Sequence, residues 1–495
     1  MPARAGLGGR EGSGRDAGSL ESIPGSGRDA GSLESIPGSG RDGGSFASIP
    51  PGGFWGLLGV LLALVAVNLP ELGSDPWPFR PRTVDPQGLL APLVRAAGEE
   101  WDVGIARAAC FLAGLAVALV GAVSFRRRDF PAWSAAVLAL GVALALLAPS
   151  TLLQIGLRDA TAPWFHTNDS IYQIEIAGDL VLDGGNPYGH DYRESGMERF
   201  YTRDGSVSED VREREVSLEH YAYFPGTAIT ASVWRLLPSP FDDYRLFVAL
   251  LTLAGFAAAM AFRAPLSWRL VLGAVIVANP IAVRSAWFGQ NDAPSLTLLL
   301  LAFALVTRER YRWAAASLAA AVLLKQFAVV AIPFIALMVV ARGVAREELK
   351  RVAAVFAGVV AAGVLPFLIA DPVAFYEDTV KFGAGTYKIV GYGLSAMLIR
   401  AGILEDRDGS YPFALIAVLT WLPLTAWLLL CQHRLREQWV GAAGFAISML
   451  VLLFIGRTFN NYYLVWPMTG AVAAALVWLG SADRSDWKLA ESKTD

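Results

Sequence analysis

Long apolar runs alternate with short charged stretches along most of this chain. An α-helix rises about 1.5 Å per residue, so about 20 residues cross the apolar core of a bilayer. The pattern therefore predicts an all-α polytopic membrane protein with about 12 transmembrane helices. Several runs are shorter than a full crossing, which predicts that their helices borrow flanking residues or are broken. The runs lie at 54–69, 104–124, 132–157, 245–262, 269–286, 293–306, 313–324, 327–341, 351–370, 411–430, 439–456 and 460–480.

Composition supports this class and narrows the partners. Hydrophobic residues make up 54% of the chain and charged residues 17%, whereas soluble domains carry about 25% charged residues. No basic stripe of the nucleic-acid-binding type is present, so we expect no nucleic-acid partner. Cys110 and Cys431 lie in or beside apolar runs without metal-ligand spacing. We therefore expect two buried thiols, and neither a disulfide nor a zinc site.

The first fifty residues form a repeat. The sequence GSGRDAGSLESIP occupies 12–24, is repeated identically at 25–37 and recurs with changes at 38–50. Such a Gly- and Ser-rich period buries too little apolar surface to offset chain entropy. We predict disorder over 1–52, and the absence of an apolar h-region argues against a signal peptide.

The basic connectors predict the orientation. Lys and Arg concentrate in short loops on the cytoplasmic side, and alternate crossings place all five basic connectors on one side if 225–237 does not cross. We interpret 225–237 as a helix at the membrane surface, and expect both termini in the cytoplasm and a plasma-membrane location. The basic connectors are 126–128, 263–269, 308–312, 342–351 and 433–436.

Two outer segments are long enough to carry function. The segment 158–244 is polar and acid-rich, and a long ordered loop is usually functional. The segment 371–410 contains four glycines around Lys381 and Lys388. Its apolar piece 389–401 could re-enter the membrane, where irregular backbone is tolerated if protein or water covers it.

Asp169 is the first candidate for chemistry. It follows His166 and precedes Tyr172, about ten residues beyond the end of a crossing. A carboxylate held near the membrane surface can take a proton from an incoming hydroxyl. The alternative is structural, because Asn168 or Asp169 before a run of isoleucines is also a plausible helix N-cap.

Three further outer turns carry polar side chains. Asp292, after Gln290, can hold a metal, orient a sugar or cap a helix. Lys325 and Gln326 interrupt an apolar stretch that we expect to be a hairpin. A charge at membrane depth suggests function. The alternative is a lysine that snorkels to the surface. The turn at 456–463 combines a cation, amides and phenols. These groups suit sugar recognition, but Tyr also lines membrane interfaces without function.

Acids and cations on one outer face fit transfer from a lipid phosphate. The acid activates an acceptor, and the cations offset charge on the leaving phosphate. The sequence contains no Walker loop, Rossmann glycine pattern or Ser-His nucleophile motif. The candidate catalytic residue is Asp169, and the candidate substrate-binding residues are His166, Tyr172, Gln290, Asp292, Lys325, Gln326, Lys388, Arg457, Asn461 and Tyr462.

Several motifs, taken in order, resemble the GT-C glycosyltransferases. The similarity spans about 130–480 and is greatest to the polyprenol-phosphate-mannose-dependent mannosyltransferases of glycosyltransferase family 87. Two features depart from that family: two crossings precede the run that leads into the acidic loop, and a charged stretch is inserted at about 193–219. The motifs are N-D-x-x-Y at 168–172, G-G-N-P-Y at 184–188, Y-A-Y-F-P-G at 221–226, G-Q-N-D at 289–292 and L-K-Q at 324–326.

The resemblance implies an inverting transfer of a sugar, mannose in that family, from a polyprenyl phosphate to a glycan or glycolipid acceptor at the outer face. It assigns the role of general base to Asp169 and places Lys325 near the donor phosphate. The domains expected are 1–52 disordered repeats, 53–130 two additional helices, 131–482 the GT-C-like module with a long first outer loop, and 483–495 a cytoplasmic tail. The sequence assigns no cofactor, and a divalent cation at Asp292 stays open.

Two other classes of function stay open at this point. A transporter or flippase of polyprenyl-linked sugars would need polar residues inside the crossings, facing a pathway. Most charges here lie at the ends of runs, which disfavours that class. A non-catalytic membrane scaffold would not need an acidic loop beside the end of a crossing.

Overall fold

The computed structural model describes residues 49, 51–73, 88, 90–92, 95, 103–127, 130–160, 169–197, 202–203, 206–207, 218–382, 390–405 and 411–491. The predicted repeat region 1–52 lies almost wholly outside these residues. The described part is helical, with only short two-residue strands besides.

The helices follow one another along the whole described chain. In chain order they are α1 (Pro51–Gly73), α2 (Val103–Val123), α3 (Ala132–Leu147), α4 (Gln154–Ala160), α5 (Asp169–Leu182), α6 (Pro225–Trp234), α7 (Tyr244–Met260), α8 (Leu266–Val277), α9 (Pro280–Phe288), α10 (Asp292–Thr307), α11 (Tyr311–Leu324), α12 (Ile332–Val340), α13 (Arg346–Ala370), α14 (Pro372–Tyr376), α15 (Leu394–Arg400), α16 (Phe413–Leu435), α17 (Gln438–Ile455) and α18 (Val465–Glu491).

Within the described residues, seven helices are long and apolar enough to cross a membrane. If the bent pair α8 and α9 is counted as one crossing, the number of such crossings is eight. Four shorter apolar helices are also present. The seven helices, the bent pair and the four shorter helices fall one to one on the twelve predicted runs. The chain is therefore an all-α multi-pass membrane protein, as predicted, while the number of shorter helices that cross remains a prediction.

The fifth predicted run is broken, as its length suggested. Helices α8 and α9 meet at an angle of 49°, and Asn279 lies between them. The Asn279 side chain accepts a hydrogen bond from the Ala282 backbone N–H and donates to the carbonyls of Val275 and Ile276. A residue before proline avoids the helical conformation, so Pro280 ends one helix and its fixed φ begins the next.

The two additional N-terminal helices pack tightly into the bundle. A Cβ on Gly114 would lie 2.2 Å from the Ala145 backbone nitrogen, and one on Gly141 would lie 2.1 Å from that of Ala118. Small residues let membrane helices approach closely, so α2 and α3 form one rigid pair. The α1–α3 region then shares a buried apolar cluster with α7, α8 and α9.

A buried ionic network joins three helices, α4, α5 and α7. Arg158 in α4 contacts Glu175 in α5 at 2.6 Å and Asp243, the N-cap of α7, at 2.9 Å. Asp243 also pairs with Arg245, whose side chain is fully buried. The Glu175 carboxylate accepts the Tyr244 backbone N–H. Buried charges are tolerated only when paired and hydrogen-bonded, and here the contacts of Glu175 with Arg158 and Tyr244 tie α5 to α4 and α7.

The outer loops are short structured pieces. Strands β1 (Thr202–Arg203) and β2 (Ser206–Val207) pair antiparallel inside the inserted charged stretch. The ends of that insert lie together, because Tyr192 N–H donates to the Leu218 carbonyl and Arg193 pairs with Glu219. Strand β3 (Val390–Gly391) pairs in parallel with β4 (Thr458–Phe459), which fastens the segment 390–405 to the turn before α18.

Two predictions about segments are tested by these bounds. The segment predicted as a surface helix contains α6, which ends at Trp234, so the helix is confirmed while its depth in the membrane remains a prediction. The predicted tail at 483–495 is helical as far as Glu491, because α18 continues through the boundary at 482.

Candidate functional site

Asp169 begins helix α5 at the same end of the bundle as Arg158 and Asp243. Its Oδ1 accepts the Ser170 backbone N–H at 2.7 Å, which fixes the carboxylate at the helix start. The first turn of α5 is anchored by Ile171, which is fully buried. A carboxylate at this end is also stabilised by the positive end of the helix dipole.

The G-Q-N-D turn lies against that first turn of α5. Gly289 has φ +71°, and a Cβ there would lie 2.3 Å from Cγ1 of Ile171 and 2.6 Å from Cγ of Arg245. Only glycine allows both this left-handed backbone and this close approach. The turn leads directly into α10, so Gln290, Asn291 and Asp292 lie at the same end of the bundle as Asp169.

Asp292 and Lys325 form the buried centre of the site. The Lys325 Nζ lies 3.7 Å from Oδ2 of Asp292 and donates to Oδ1 of Asn291 at 3.0 Å. The other oxygen of Asp292 accepts from the Trp466 indole N–H at 2.8 Å. Asn291, the N-cap of α10, makes no side-chain cap hydrogen bond. One carboxylate oxygen of Asp292 therefore lies beside Lys325, and the other accepts a hydrogen bond from Trp466.

Lys325 stands at a break in the helical hairpin, as predicted. Helix α11 ends at Leu324, Lys325 is extended, and a 3-10 helix (Gln326–Ala331) precedes α12. Aromatic rings surround the ammonium: Nζ lies 5.4 Å from the Tyr223 ring centroid and 5.8 Å from that of Phe327. Such rings stabilise a cation that water cannot fully hydrate, and the side chain is only 12% exposed.

Tyr462 lies within electrostatic range of both carboxylates, Asp292 and Asp169. The Asn460 amide donates to its oxygen at 3.1 Å. The ring of Tyr463 packs on it at 4.5 Å. Asp169, Asp292, Lys325 and Tyr462, named from separate parts of the sequence, are thus brought to one place.

Four polar atoms in this place have no hydrogen-bond partner among the described residues, although Asp292 Oδ2 has the ammonium of Lys325 beside it. The unsatisfied atoms include donors and acceptors, and a buried polar group without a partner is costly. A polar ligand entering the site would find hydrogen-bonding groups already in position. These atoms are Gln290 Oε1, Asn291 Nδ2, Asp292 Oδ2 and Gln326 Oε1.

The segment 220–223 forms one wall of the site. Gln326 donates to the Ala222 carbonyl at 3.2 Å, and the Tyr188 hydroxyl donates to the Tyr223 carbonyl at 2.9 Å. Burial raises the pKa of the Tyr188 phenol well above its ordinary value. Because the phenol stays protonated, it keeps this hydrogen bond at any physiological pH.

Three other predicted residues have partners outside the group of Asp169, Asp292, Lys325 and Tyr462. The Tyr172 hydroxyl donates to the Ser195 carbonyl, and Asn461 donates to Glu71 at the end of α1. The Arg457 guanidinium lies 5.8 Å from the Phe413 ring centroid. His166 and Lys388 fall outside the described residues.

Sequence reasoning missed several groups. Trp466 lies in an apolar run and resembles a membrane-interface tryptophan, although it donates to Asp292. Asp378, in a π turn (Glu377–Phe382), is 1% exposed and accepts from the Gly189 N–H, while its other oxygen contacts Nδ1 of His220 at 2.5 Å. An acid in a long outer segment was the only sequence signal for this pair.

The described residues contain no group of three or more His, Cys, Asp and Glu side chains placed to share a metal ion. The neighbours of Asp292 are a lysine, an indole and a phenol. A lysine ammonium beside the carboxylate supplies the positive charge that a divalent cation would otherwise bring.

One family model matches part of this chain. Residues 221–456 match the model of glycosyltransferase family 87, which confirms the resemblance seen in the sequence. The matched range contains Asp292 and Lys325 but neither Asp169 nor Tyr462. No curated protein matches the chain.

One solved structure similar to this chain is that of ArnT from Cupriavidus metallidurans bound to undecaprenyl phosphate. The two chains are 18% identical, with a TM-score of 0.43, and the similarity covers 71% of this chain and 60% of ArnT. The chain therefore spans about three fifths of the length of that protein.

Proposed function

We propose that this chain, which carries the family 87 glycosyltransferase region over residues 221–456, transfers a sugar from a polyprenyl phosphate to an acceptor outside the cytoplasm. Asp169 is the general base, and the reaction inverts the anomeric carbon. The sugar is mannose, which the resemblance to polyprenol-phosphate-mannose-dependent enzymes implies.

The observation that carries the proposal is that the G-Q-N-D turn packs against the first turn of α5, which brings Asp169 to the same end of the bundle as the Asp292–Lys325 pair. An acid and a cation at one outer site match the two needs of the reaction. The attacking hydroxyl must lose a proton, and the departing phosphate must have its charge offset. The undecaprenyl phosphate bound to ArnT is a lipid of the class proposed for the donor.

The reaction proceeds by one displacement. The acceptor oxygen forms a bond to the anomeric carbon as the bond from that carbon to the phosphate oxygen breaks. The bond electrons leave with the polyprenyl phosphate, and Asp169 takes the proton of the acceptor hydroxyl. Attack from the face opposite the phosphate inverts the centre.

Lys325 faces the phosphate in this scheme. An ammonium has three donors, and among the described residues the Lys325 ammonium donates one hydrogen bond, to Oδ1 of Asn291. The remaining N–H groups are suited to phosphate oxygens. Asp292 and Trp466 hold the lysine in place, and Tyr223 and Phe327 screen it from water.

The test is Asp169→Asn in membranes supplied with polyprenyl-phosphate-mannose. Asn caps a helix about as well as Asp, so the variant keeps the start of α5 but loses the base. A general base contributes about 10²–10⁴-fold in rate, and we expect transfer to fall at least a hundredfold while donor binding persists. Asp183→Asn, an exposed acid just after the same helix, should transfer normally.

The same assay separates other assignments. Near-normal transfer by Asp169→Asn would reassign the base, with Asp292 as the next carboxylate. Equal use of polyprenyl-phosphate-glucose would refute the assignment of mannose. A flippase would move labelled lipid donor across vesicles without forming a new glycoside, and this outcome would refute the transferase.

A further inference from the structure

A second polar cavity lies at the other end of the bundle. It has a volume of about 250 Å³, and because a water molecule takes about 30 Å³, it has room for about eight waters or one small headgroup. Helix α10 begins at the site of Asp292 and ends at Thr307, which lines this cavity. The cavity and the candidate active site are therefore separated by the length of a helix.

Three arginines from three separate connections converge on the cavity. Arg263 follows α7, Arg342 follows α12, and Arg436 follows α16. Arg342 is occupied by Glu309 and Gln438, whereas the guanidiniums of Arg263 and Arg436 make no hydrogen bond or ion pair within the described residues. Glu437 is the one acid lining the cavity, so the lining is positively charged overall.

Gln438 supplies a buried donor with no acceptor. Its Oε1 accepts from Arg342 at 2.7 Å, which identifies the other amide atom as the NH₂ group. That Nε2 is buried and has no hydrogen-bond partner among the described residues. Gln438 is also the first residue of α17, an 18-residue helix, whose N-terminal N–H groups and dipole favour an anion.

The remaining lining is apolar. Phe262, Trp439 and Leu476 face the same cavity as the arginines. A free phosphate ion has no use for such surface, whereas a lipid presents a phosphate and apolar chains together. Basic pockets between transmembrane helices are a known setting for anionic lipid headgroups.

We propose that this cavity binds the phosphate headgroup of an anionic membrane lipid. Arg263 and Arg436 pair with the phosphate oxygens, the Gln438 amide donates to one of them, and Trp439 and Leu476 contact the apolar part of the lipid. The site is independent of the proposed transfer reaction, since none of its residues lies near Asp169 or Lys325.

The experiment titrates the purified full chain in detergent with dioctanoyl phosphatidylglycerol, using isothermal titration calorimetry. A charge-assisted contact changes binding by at least about tenfold, so Arg263→Gln/Arg436→Gln should bind at least a hundredfold more weakly. The matched control is Arg310→Gln/Arg346→Gln, which removes two exposed arginines from the same end and should bind within about twofold of wild type.

Two further arms identify the ligand and guard against misfolding. Dioctanoyl phosphatidylcholine, which has no net charge, and sodium phosphate, which has no apolar chain, should both bind much more weakly than phosphatidylglycerol. Ser481→Trp fills the cavity from its rim without removing an arginine, and it should also abolish binding. This variant keeps the proposal testable if the double arginine variant does not fold.

Three results would overturn the proposal. Equal losses in the pocket and control variants would indicate general attraction to a basic surface. Equal binding of phosphatidylcholine would remove the charge requirement, and equally tight binding of sodium phosphate would make the site one for free phosphate. Unchanged binding by Ser481→Trp would place the lipid elsewhere.

Discussion

Lys325 is the residue whose position is hardest to explain by structure alone. It interrupts an apolar hairpin, lies beside a buried carboxylate and is surrounded by aromatic rings. A snorkelling lysine would extend to water, but this one is nearly buried and is held by Asn291. Removing a cation from water is costly. A lysine ammonium kept at such a place therefore points to an anionic ligand.

We predict that Lys325→Ala weakens use of the polyprenyl-phosphate donor at least about tenfold, because a charge-assisted contact contributes about 1.5–3 kcal/mol. Transfer rates measured against donor concentration should show the loss. Lys381→Ala, which removes an exposed lysine paired only with Glu377, is the control. Unchanged donor dependence in a folded Lys325→Ala protein would support a structural role.

The candidate residues could be predicted from the sequence, but their partners could not. Lys325 and Asp292 are visible because charge in an apolar stretch is unusual. The indole that holds Asp292 belongs to a residue 174 positions away, and the His220–Asp378 contact joins residues 158 apart. Such pairs depend on how helices pack, which no local pattern encodes.

At the scale of elements, the apolar runs were sufficient to predict the helices, because each crossing must satisfy its own backbone hydrogen bonds. A break such as the one between α8 and α9 is one of the two outcomes that short apolar runs predict. The Asn279-Pro280 step is the physical reason for the break. The attachment of α5 was not predictable. It depends on Glu175, an acid in an amphipathic helix that would ordinarily face water.

The ionic network at α4, α5 and α7 predicts a large loss of stability for Asp243→Asn. Removing one partner of a buried pair costs about 3–5 kcal/mol, because it leaves the arginines uncompensated. Thermal unfolding in detergent should show the loss. The neighbouring Asp242→Asn removes a partly exposed pair with Arg235 and should cost at most about 1 kcal/mol.

The same carboxylate predicts a pH dependence. Burial alone would raise the pKa of Asp243, but Arg245 and Arg158 hold it well below its usual range. A depressed pKa contributes stability above the unfolded value of about 3.9 and loses it as the pH falls. The difference between wild type and Asp243→Asn should stay constant from pH 8 to about pH 5 and shrink below about pH 4. A difference that already shrinks near pH 6 would contradict this assignment.

Helix α1, one of the two additional N-terminal helices, contacts the candidate site through Glu71. That carboxylate pairs with Arg284 in α9 at 3.0 Å and accepts from Asn461, beside Tyr462. We predict that Glu71→Gln and Asn461→Ala each lower transfer and that their effects are not additive, since residues in contact couple by about 0.5–3 kcal/mol. Additive effects in the double variant would mean that α1 only anchors the bundle.

At the scale of the whole molecule, charge is divided between the two ends of the helices. The connections after Met260, Val340 and Leu435 carry the three arginines that line the cavity, whereas the helix ends that begin at Asp169 and Asp292 carry the acids of the candidate site. Lys- and Arg-rich connections favour the cytoplasmic side. We therefore predict that the acid and cation site lies on the extracytoplasmic side and the arginine cavity in the cytoplasmic leaflet, where anionic lipids concentrate.

This orientation predicts the result of cysteine labelling in intact cells. After Cys110 and Cys431 are replaced by serine, a membrane-impermeant maleimide should modify Ser206→Cys, in the β1–β2 hairpin of the first outer loop. It should leave Lys350→Cys unmodified until the membrane is permeabilised. Lys350 is suited to labelling because its side chain is exposed on helix α13. The reverse pattern would place the candidate base in the cytoplasm and the arginine cavity outside. That result would refute the proposed transfer at the outer face. It would also refute the assignment of the lipid to the cytoplasmic leaflet.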